Sequence, residues 1–232
     1  MQAIIFRLYG EYGHFKRPET NNNPCTYAYM HKVALVGLIG ATLGVERDVM
    51  RNLYPQLCED LLYAVKINSP IVKEPHAFTK RTTIDKHFSN PGRRYCEYLH
   101  KPDYTITLAL KNDRSKEIFD KFLEYAKGDL SAYFTYFGVV NCPAYFEFLS
   151  EADVSEEFNG DFETDSILSA KHKIIDAGEI DLMFEWVPIT SMPDESLFNT
   201  YGEPIQTICV QRGTVKANGS YRRLNEKTMW FM

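Results

Sequence analysis

The sequence has no apolar run long enough to cross a bilayer. The longest, roughly 33–45, is interrupted by three glycines and is well short of the ~20 residues that a membrane-spanning helix needs. The first nine residues also lack the basic start, long apolar centre and small-residue cleavage site of a secretory signal. These absences predict a cytoplasmic protein that has no membrane span.

The sequence also lacks the usual patterns of metal sites, disulfide frameworks and common enzymes. Its five cysteines are odd in number and widely spaced, without any C-x-x-C pair. No H-E-x-x-H, G-x-S-x-G or P-loop motif occurs. A metal site built from His76, His87 and Cys96 is conceivable, but ordinary surface-loop residues explain these three side chains better. We therefore predict no metal and no cofactor, and nothing indicates the pocket of acids and bases that a small-molecule enzyme needs.

Charge is distributed unevenly along the 232 residues, whose formal net charge is −5. Residues 70–101 contain seven Lys or Arg against three acids, whereas residues 151–200 contain thirteen acids against two lysines. Basic residues again outnumber acids from 201 onward. Because a basic patch attracts a phosphate backbone and an acidic segment repels it, the first of these regions is the candidate for nucleic-acid contact.

Hydrophobic periodicity predicts four strands and two helices in the first 150 residues. The strands are expected at 2–9, 61–68 and 104–110, and in at least one of 132–137 and 144–149. The helices are expected at 29–44 and 118–128, each ending near a glycine. This order, β-α-β-β-α-β, is that of an α+β ferredoxin-like (RRM-like) fold. Since that fold hosts many functions, the order alone predicts none.

The domain prediction has three parts. Residues 1–150 form the ferredoxin-like domain, with a basic insertion at about 69–103 that forms a long loop or a projecting hairpin. The acidic stretch 151–165 is predicted as a linker. Residues 166–232 are predicted as a small β-rich region, with candidate strands at 167–175, 181–187 and 204–211.

Two ordered motifs in the first 150 residues carry a family resemblance. The first is Phe15-Lys16-Arg17-Pro18-Glu19-Thr20, followed by Cys25-Thr26-Tyr27 and the glycine-containing run 33–44. The second is Tyr136-Phe137-Gly138, followed by Cys142-Pro143-Ala144. Together they resemble the CRISPR-associated Cas five family of the RAMP superfamily, in its type I-B style. The last third of the chain resembles nothing that we can place.

The resemblance implies an antiviral-defence subunit of a type I Cascade ribonucleoprotein complex that caps the 5′ handle of the guide RNA without catalysis. It implies a projecting β-hairpin thumb at the basic insertion. The implied partners are the guide RNA, the backbone subunit and the large PAM-reading subunit, with target DNA met only through the complex.

The residues themselves agree with RNA binding, because single-stranded RNA needs cations for its phosphates and planar groups for its splayed bases. The candidates are Lys16, Arg17, Tyr27, Lys32, Lys80, Arg81, Phe88, Arg93, Arg94 and Tyr95. For each cation the alternative is a simply solvated side chain. For Tyr27 and Phe88 the alternative is ordinary packing.

A second hypothesis is metal-independent cleavage of precursor CRISPR RNA, which one branch of the resembled family performs. Such cleavage needs a base for the ribose 2′-hydroxyl and an acid or cation for the developing charge. Tyr27 matches a tyrosine of that branch, and His100 with Lys101 lies where its Lys-His pair is expected, although in reversed order. The resemblance favours the non-catalytic relatives.

Overall fold

The fold is known from a computed structural model, which describes residues 1–20, 22–80, 92–192 and 200–232. The α-helices are α1 (Lys32–Leu43), α2 (Arg47–Asp60) and α3 (Lys116–Lys127). The first seven strands are β1 (Gln2–Tyr9), β2 (Tyr12–Gly13), β3 (Leu61–Ile67), β4 (Lys73–Lys80), β5 (Gly92–His100), β6 (Asp103–Leu110) and β7 (Tyr145–Asp153). The later strands are β8 (Phe158–Thr164), β9 (Leu168–Ser169), β10 (Lys173–Asp176), β11 (Leu182–Pro188), β12 (Ser191–Met192), β13 (Thr200–Tyr201), β14 (Pro204–Val210), β15 (Val215–Leu224) and β16 (Lys227–Met229).

The central sheet has the order β3-β6-β1-β7, and all its neighbouring strands are antiparallel. Alternate residues of β1 point to one face, where Phe6 packs edge-on against Phe122 of α3 at 5.8 Å between ring centroids. Helix α1 contributes to the same core and is buried along most of its length. This topology confirms the predicted α+β ferredoxin-like fold. None of the helices in the described residues has the length and apolar composition needed to cross a membrane.

The strands and helices predicted before residue 150 are present with small shifts at their ends, and the candidate strands at 181–187 and 204–211 correspond to β11 and β14. The candidate strand at 167–175 is wrong as a single strand, because a turn at 170–172 divides it into β9 and β10. Helix α1 begins at Lys32 rather than at 29, because the ring of His31 accepts a hydrogen bond from the backbone N–H of Ala34 and caps the helix. Helix α2 was not predicted. Its pattern of Met50, Leu53, Tyr54 and Leu57 follows helical spacing, but an internal proline obscures it.

The region after residue 150 packs onto the central sheet and continues its core. The stretch predicted as a linker, 151–165, instead contains the end of β7 and the whole of β8, which pairs with β15. Leu224, Met229 and Phe231 cover the outer face of the central sheet. Val187 and Cys209 belong to the main core itself. Two of the three buried clusters in the described residues thus contain residues from both sides of position 150, whereas the third, around Phe162, Leu168 and Val215, lies wholly after it.

The motif Tyr136-Phe137-Gly138 … Cys142-Pro143-Ala144 forms a small hairpin that packs beside β2. The backbones of Phe137 and Cys142 are joined by an N–H to carbonyl bond of 2.8 Å, and Phe137 is fully buried. Gly138 has φ +79, and a Cβ there would lie 2.1 Å from the backbone oxygen of His14. The motif thus needs glycine both for its backbone conformation and for close contact with the chain after β2.

We predict that Gly138→Ala destabilises the protein by about 3 kcal/mol or more, because left-handed strain adds to a backbone clash. The matched control is Gly178→Ala, where φ is +55 but nothing lies within 4 Å of the added Cβ. The control is expected to cost about 1 kcal/mol. Urea unfolding measures both free energies, and equal losses would contradict the role of the close contact.

Candidate nucleic-acid interface

The basic insertion forms an antiparallel hairpin of β4 and β5, which together with β2 makes a sheet separate from the central one. This confirms the predicted projecting hairpin. Its outer part carries exposed rings and exposed guanidinium groups. Phe78 and Tyr95 are 45% and 49% exposed, and Arg93 and Arg94 make no ion pair with any described residue.

The register of the hairpin distributes these four side chains evenly. Phe78 lies directly opposite Arg94, so this pair shares one face. Arg93 and Tyr95 are two residues apart on β5, so they share the other face. Each face therefore presents one cation beside one aromatic ring. Phe78 was not among the predicted residues, although its position two residues before Lys80 in the basic stretch could have suggested it.

Three predicted residues of the insertion cannot be placed in the same detail. Lys80 ends β4, but its side chain is not described. Arg81 and Phe88 lie outside the described residues. Their predicted contribution to RNA binding stays a prediction.

The predicted motif at 14–27 forms a second hairpin that lies along β5. Lys16 pairs with Thr26, and the backbone N–H of Glu97 in β5 donates to the oxygen of Pro24 at 2.9 Å. The backbone N–H of Tyr95 also donates to the Asn23 side chain at 3.2 Å. Lys16 is exposed. The structure therefore places Lys16 on a hairpin that contacts the strand bearing Arg93 and Arg94.

Arg17 is held by a buried carboxylate. Its Nη2 lies 2.5 Å from Oε1 of Glu185 in β11, a residue only 4% exposed. The other oxygen of Glu185 accepts from the backbone N–H of Ala28 at 3.0 Å and lies 3.8 Å from Nζ of Lys73. Because a buried carboxylate must keep its partners, Arg17 is a structural residue before it can be an RNA ligand.

Two further predicted residues, Tyr27 and Lys32, are packed inside the protein. Tyr27 is 5% exposed and contacts the ring of His31 at 5.0 Å, and burial raises its pKa to about 12. Lys32 is also 5% exposed, and its Nζ donates to the backbone oxygen of Met232 at 3.0 Å. Burial lowers the pKa of Lys32 to about 8. Neither side chain is presented to an RNA in this conformation.

The residues of the cleavage hypothesis are not assembled as expected. Nδ1 of His100 lies 3.2 Å from Oε1 of Glu74 but makes no hydrogen bond to any of the described residues. The His100 ring packs against Tyr12 at 5.6 Å rather than against Tyr27, whose ring contacts His31. Lys101 is exposed in the turn after β5.

The described residues also contain no group of three or more His, Cys, Asp or Glu placed to hold a metal ion.

Comparison with known proteins identifies the family. A family profile described as CRISPR-associated protein (Cas_Cas5) matches residues 3–205. The chain belongs to this family. No curated protein matches the chain.

Two solved structures show the same fold at low sequence identity. A CRISPR protein from Archaeoglobus fulgidus is 12% identical, with a TM-score of 0.63 over 99% of this chain and 98% of its own. A chain of a CRISPR RNA-guided surveillance complex is 13% identical, with a TM-score of 0.55 over 94% of this chain and 91% of its own. The Cas5 chain therefore shares a nearly full-length architecture with both.

We predict that Glu185→Ala destabilises the Cas5 chain by about 3–5 kcal/mol, because it leaves the partly buried Arg17 and the N–H of Ala28 without their acceptor. The control is Asp120→Ala, which removes an exposed helix ion pair with Lys116 and is expected to cost about 0.5 kcal/mol. Chemical unfolding measures the two values. A loss below about 1 kcal/mol for Glu185→Ala would contradict its role as a structural anchor.

We predict that Lys32→Met stabilises the protein near pH 7, by up to about 3 kcal/mol, because it removes a charge whose burial lowers its pKa from 10.5 to about 8. The sign follows from proton linkage: between these two pKa values only the unfolded wild-type chain keeps the Lys32 proton, so wild-type stability rises with pH there. The gain of the variant should therefore shrink from pH 8 to 10. Urea unfolding across this range checks it, and a variant less stable than wild type at pH 7 would contradict it.

Proposed function

We propose that this Cas5 chain is a non-catalytic RNA-binding subunit of a type I Cascade surveillance complex that caps the 5′ handle of the guide RNA. Family membership and the shared fold support the first part of this proposal. The solved surveillance-complex chain of the same fold is described as RNA-guided, which favours an RNA-contacting role here. The proposed partners are the guide RNA, the backbone subunit and the large PAM-reading subunit.

The observation that carries the proposal is the outer half of the β4–β5 hairpin. Each of its faces pairs one arginine that has no ion pair among the described residues with one exposed ring, Arg94 with Phe78 and Arg93 with Tyr95. Guanidinium groups neutralise phosphates and aromatic rings stack on splayed bases, at about 1–3 kcal/mol per stacked base. A hairpin with both groups on both faces can hold an unpaired strand that crosses it.

The surroundings favour this surface over the rest of the chain. Lys16 adds an exposed cation on the neighbouring hairpin. By contrast, the β8–β15 pair exposes Asp161 and Glu163. Lys216 lies directly opposite Glu163, so the negative charge of Glu163 offsets the positive charge of Lys216. An RNA is therefore expected to be attracted to the hairpin and repelled from the exposed acids of β8.

The cleavage hypothesis is supported less well by the geometry. Burial raises the pKa of Tyr27 to about 12, which disfavours this residue as a base at neutral pH. A ring nitrogen of His100 beside Glu74 has no hydrogen-bond partner among the described residues, so the hypothesis is tested in the same assay as RNA binding.

We predict that the double variant Arg93→Ala, Arg94→Ala binds repeat-derived RNA at least about tenfold more weakly than wild type at 0.15 M salt. The slope of log affinity against log salt should fall by about 1.4, because two phosphate contacts are lost on a single strand. Mobility shift with labelled RNA, in EDTA, measures both quantities. The charge-matched control is Lys171→Ala, Lys173→Ala, which removes two exposed lysines from the acidic region.

Two outcomes would contradict the proposal. Equal losses in the double variant and its control would mean that binding reflects net charge and not this hairpin. Specific RNA cleavage in EDTA that His100→Ala abolishes would make the chain a processing nuclease. Binding without cleavage, sensitive only to the hairpin arginines, is the expected result.

A further inference from the structure

A second exposed surface differs from the hairpin in its chemistry. It consists of five exposed rings, Tyr9, Tyr133, Phe134, Tyr136 and Tyr145, which we call the aromatic surface. Phe134 is 65% exposed and Tyr145 is 54% exposed. The segment 128–146, which supplies four of the five rings, contains no Lys, Arg or His. Clustered exposed rings of this kind are unusual on a protein that acts alone.

The rings project from a backbone that is held in place. The N–H groups of Ala132 and Tyr133 donate to the carbonyls of Thr42 and Ala41 at the end of α1, at 2.9 and 3.1 Å. Thr135 and Ala144 are joined by two hydrogen bonds, one from the Thr135 hydroxyl and one to its carbonyl. Phe134 and Tyr145 are the next residues outward on these two arms. A partner therefore meets rings whose backbone needs no further ordering, which lowers the entropic cost of binding.

Charge around the aromatic surface is acidic. The cation that touches it, Arg7, lies over the ring of Tyr9 at 4.6 Å but is paired with Asp103 at 2.6 Å and Glu147 at 3.5 Å. Glu147 shares a face of β7 with Tyr145. Asp129 is exposed at the start of the segment. Such a surface repels a phosphate backbone, and two copies placed face to face would bring acids against acids.

We propose that the aromatic surface is the docking site of a neighbouring protein subunit whose contact face is apolar at its centre and carries Lys or Arg at its rim. This inference rests on the proposed function, since it assumes that the chain works within a complex. The hairpin at 135–144 also connects the two surfaces, because its Phe137 carbonyl accepts from the backbone N–H of His14 at 3.0 Å and the adjoining strand β2 pairs with β5. A subunit docked here sits beside the RNA-binding hairpin.

The test is a double variant, Tyr133→Ser with Phe134→Ser, measured against purified backbone subunit and purified large subunit of the same complex. We expect at least about tenfold weaker binding to one of the two, since exposed aromatic anchors dominate such interfaces. Affinity of the isolated chain for repeat-derived RNA should be unchanged. The matched control is Phe184→Ser with Trp186→Ser, which removes two equally exposed rings from β11 and should change neither affinity.

A charge variant gives an independent readout. Glu147→Lys leaves every ring in place but reverses one rim charge, so it should weaken binding to the same subunit and reduce the salt dependence of that binding. Thermal unfolding of all variants checks that they are folded.

Three outcomes would overturn the docking proposal: unchanged binding of both subunits by the Tyr133, Phe134 variant; an RNA affinity that falls in parallel with subunit binding; or a wild-type self-association in sedimentation that this variant abolishes. Failure of the proposed function looks different. In that case wild type fails to bind RNA, whatever the aromatic surface does.

Discussion

The buried carboxylate of Glu185 is the contact on which the arrangement of the proposed RNA-binding surface depends. It joins Arg17, which is 168 positions away in sequence, to the backbone of Ala28 and to the first residue of β4, Lys73. Lys73 also donates to the carbonyl of Thr26 at 2.9 Å. Since a carboxylate in this environment is tolerated only with such partners, hairpin 14–27, the base of β4 and the C-terminal sheet have one mutual arrangement.

The same C-terminal region covers part of the central sheet, so we place the proposed RNA surface elsewhere. In RNA-binding ferredoxin-like domains, bases stack on the open face of the sheet. Here Leu224, Met229 and Phe231 cover one part of that face. At the other part Arg7 forms ion pairs with Asp103 and Glu147, and these two carboxylates would repel a phosphate placed beside it. One part of the sheet face is therefore covered by apolar side chains and the other carries acids. The arginines and exposed rings that could bind RNA lie on the β4–β5 hairpin.

How far the sequence could predict this depended on how local each interaction is. The strands β1, β3 and β6 and the helices α1 and α3 follow from periodicity and end signals within the element itself. Whether each cation is exposed or paired does not follow from such local patterns. Lys16 and Arg93 stay exposed, whereas Arg17 meets Glu185 and Lys32 meets the oxygen of Met232, 200 positions away. No local pattern distinguishes an arginine that faces solvent from one that a distant strand neutralises.

The linker prediction failed for a related reason. Acidic residues between 151 and 165 suggest a solvated connection, but they alternate along β8 with Phe162 and Thr164, which are buried. Period-2 alternation was therefore present, and the density of charge concealed it. The same alternation leaves the acids of β8 on the exposed side, so the segment is part of the fold and also carries a negative charge that would disfavour contact with a phosphate backbone.

Two of the surfaces that expose aromatic rings have different charges beside them, and these charges separate the two proposed roles. At the hairpin each ring has an arginine neighbour, so an anionic, base-bearing strand gains from both groups at once. At the aromatic surface the rings stand among acids, and the cation present is already paired. For a polyanion, electrostatic repulsion by these acids would offset the favourable free energy of stacking on the rings. The two surfaces are joined through β2, which pairs with β5 and is followed by His14, whose backbone N–H donates to the carbonyl of Phe137 at 3.0 Å.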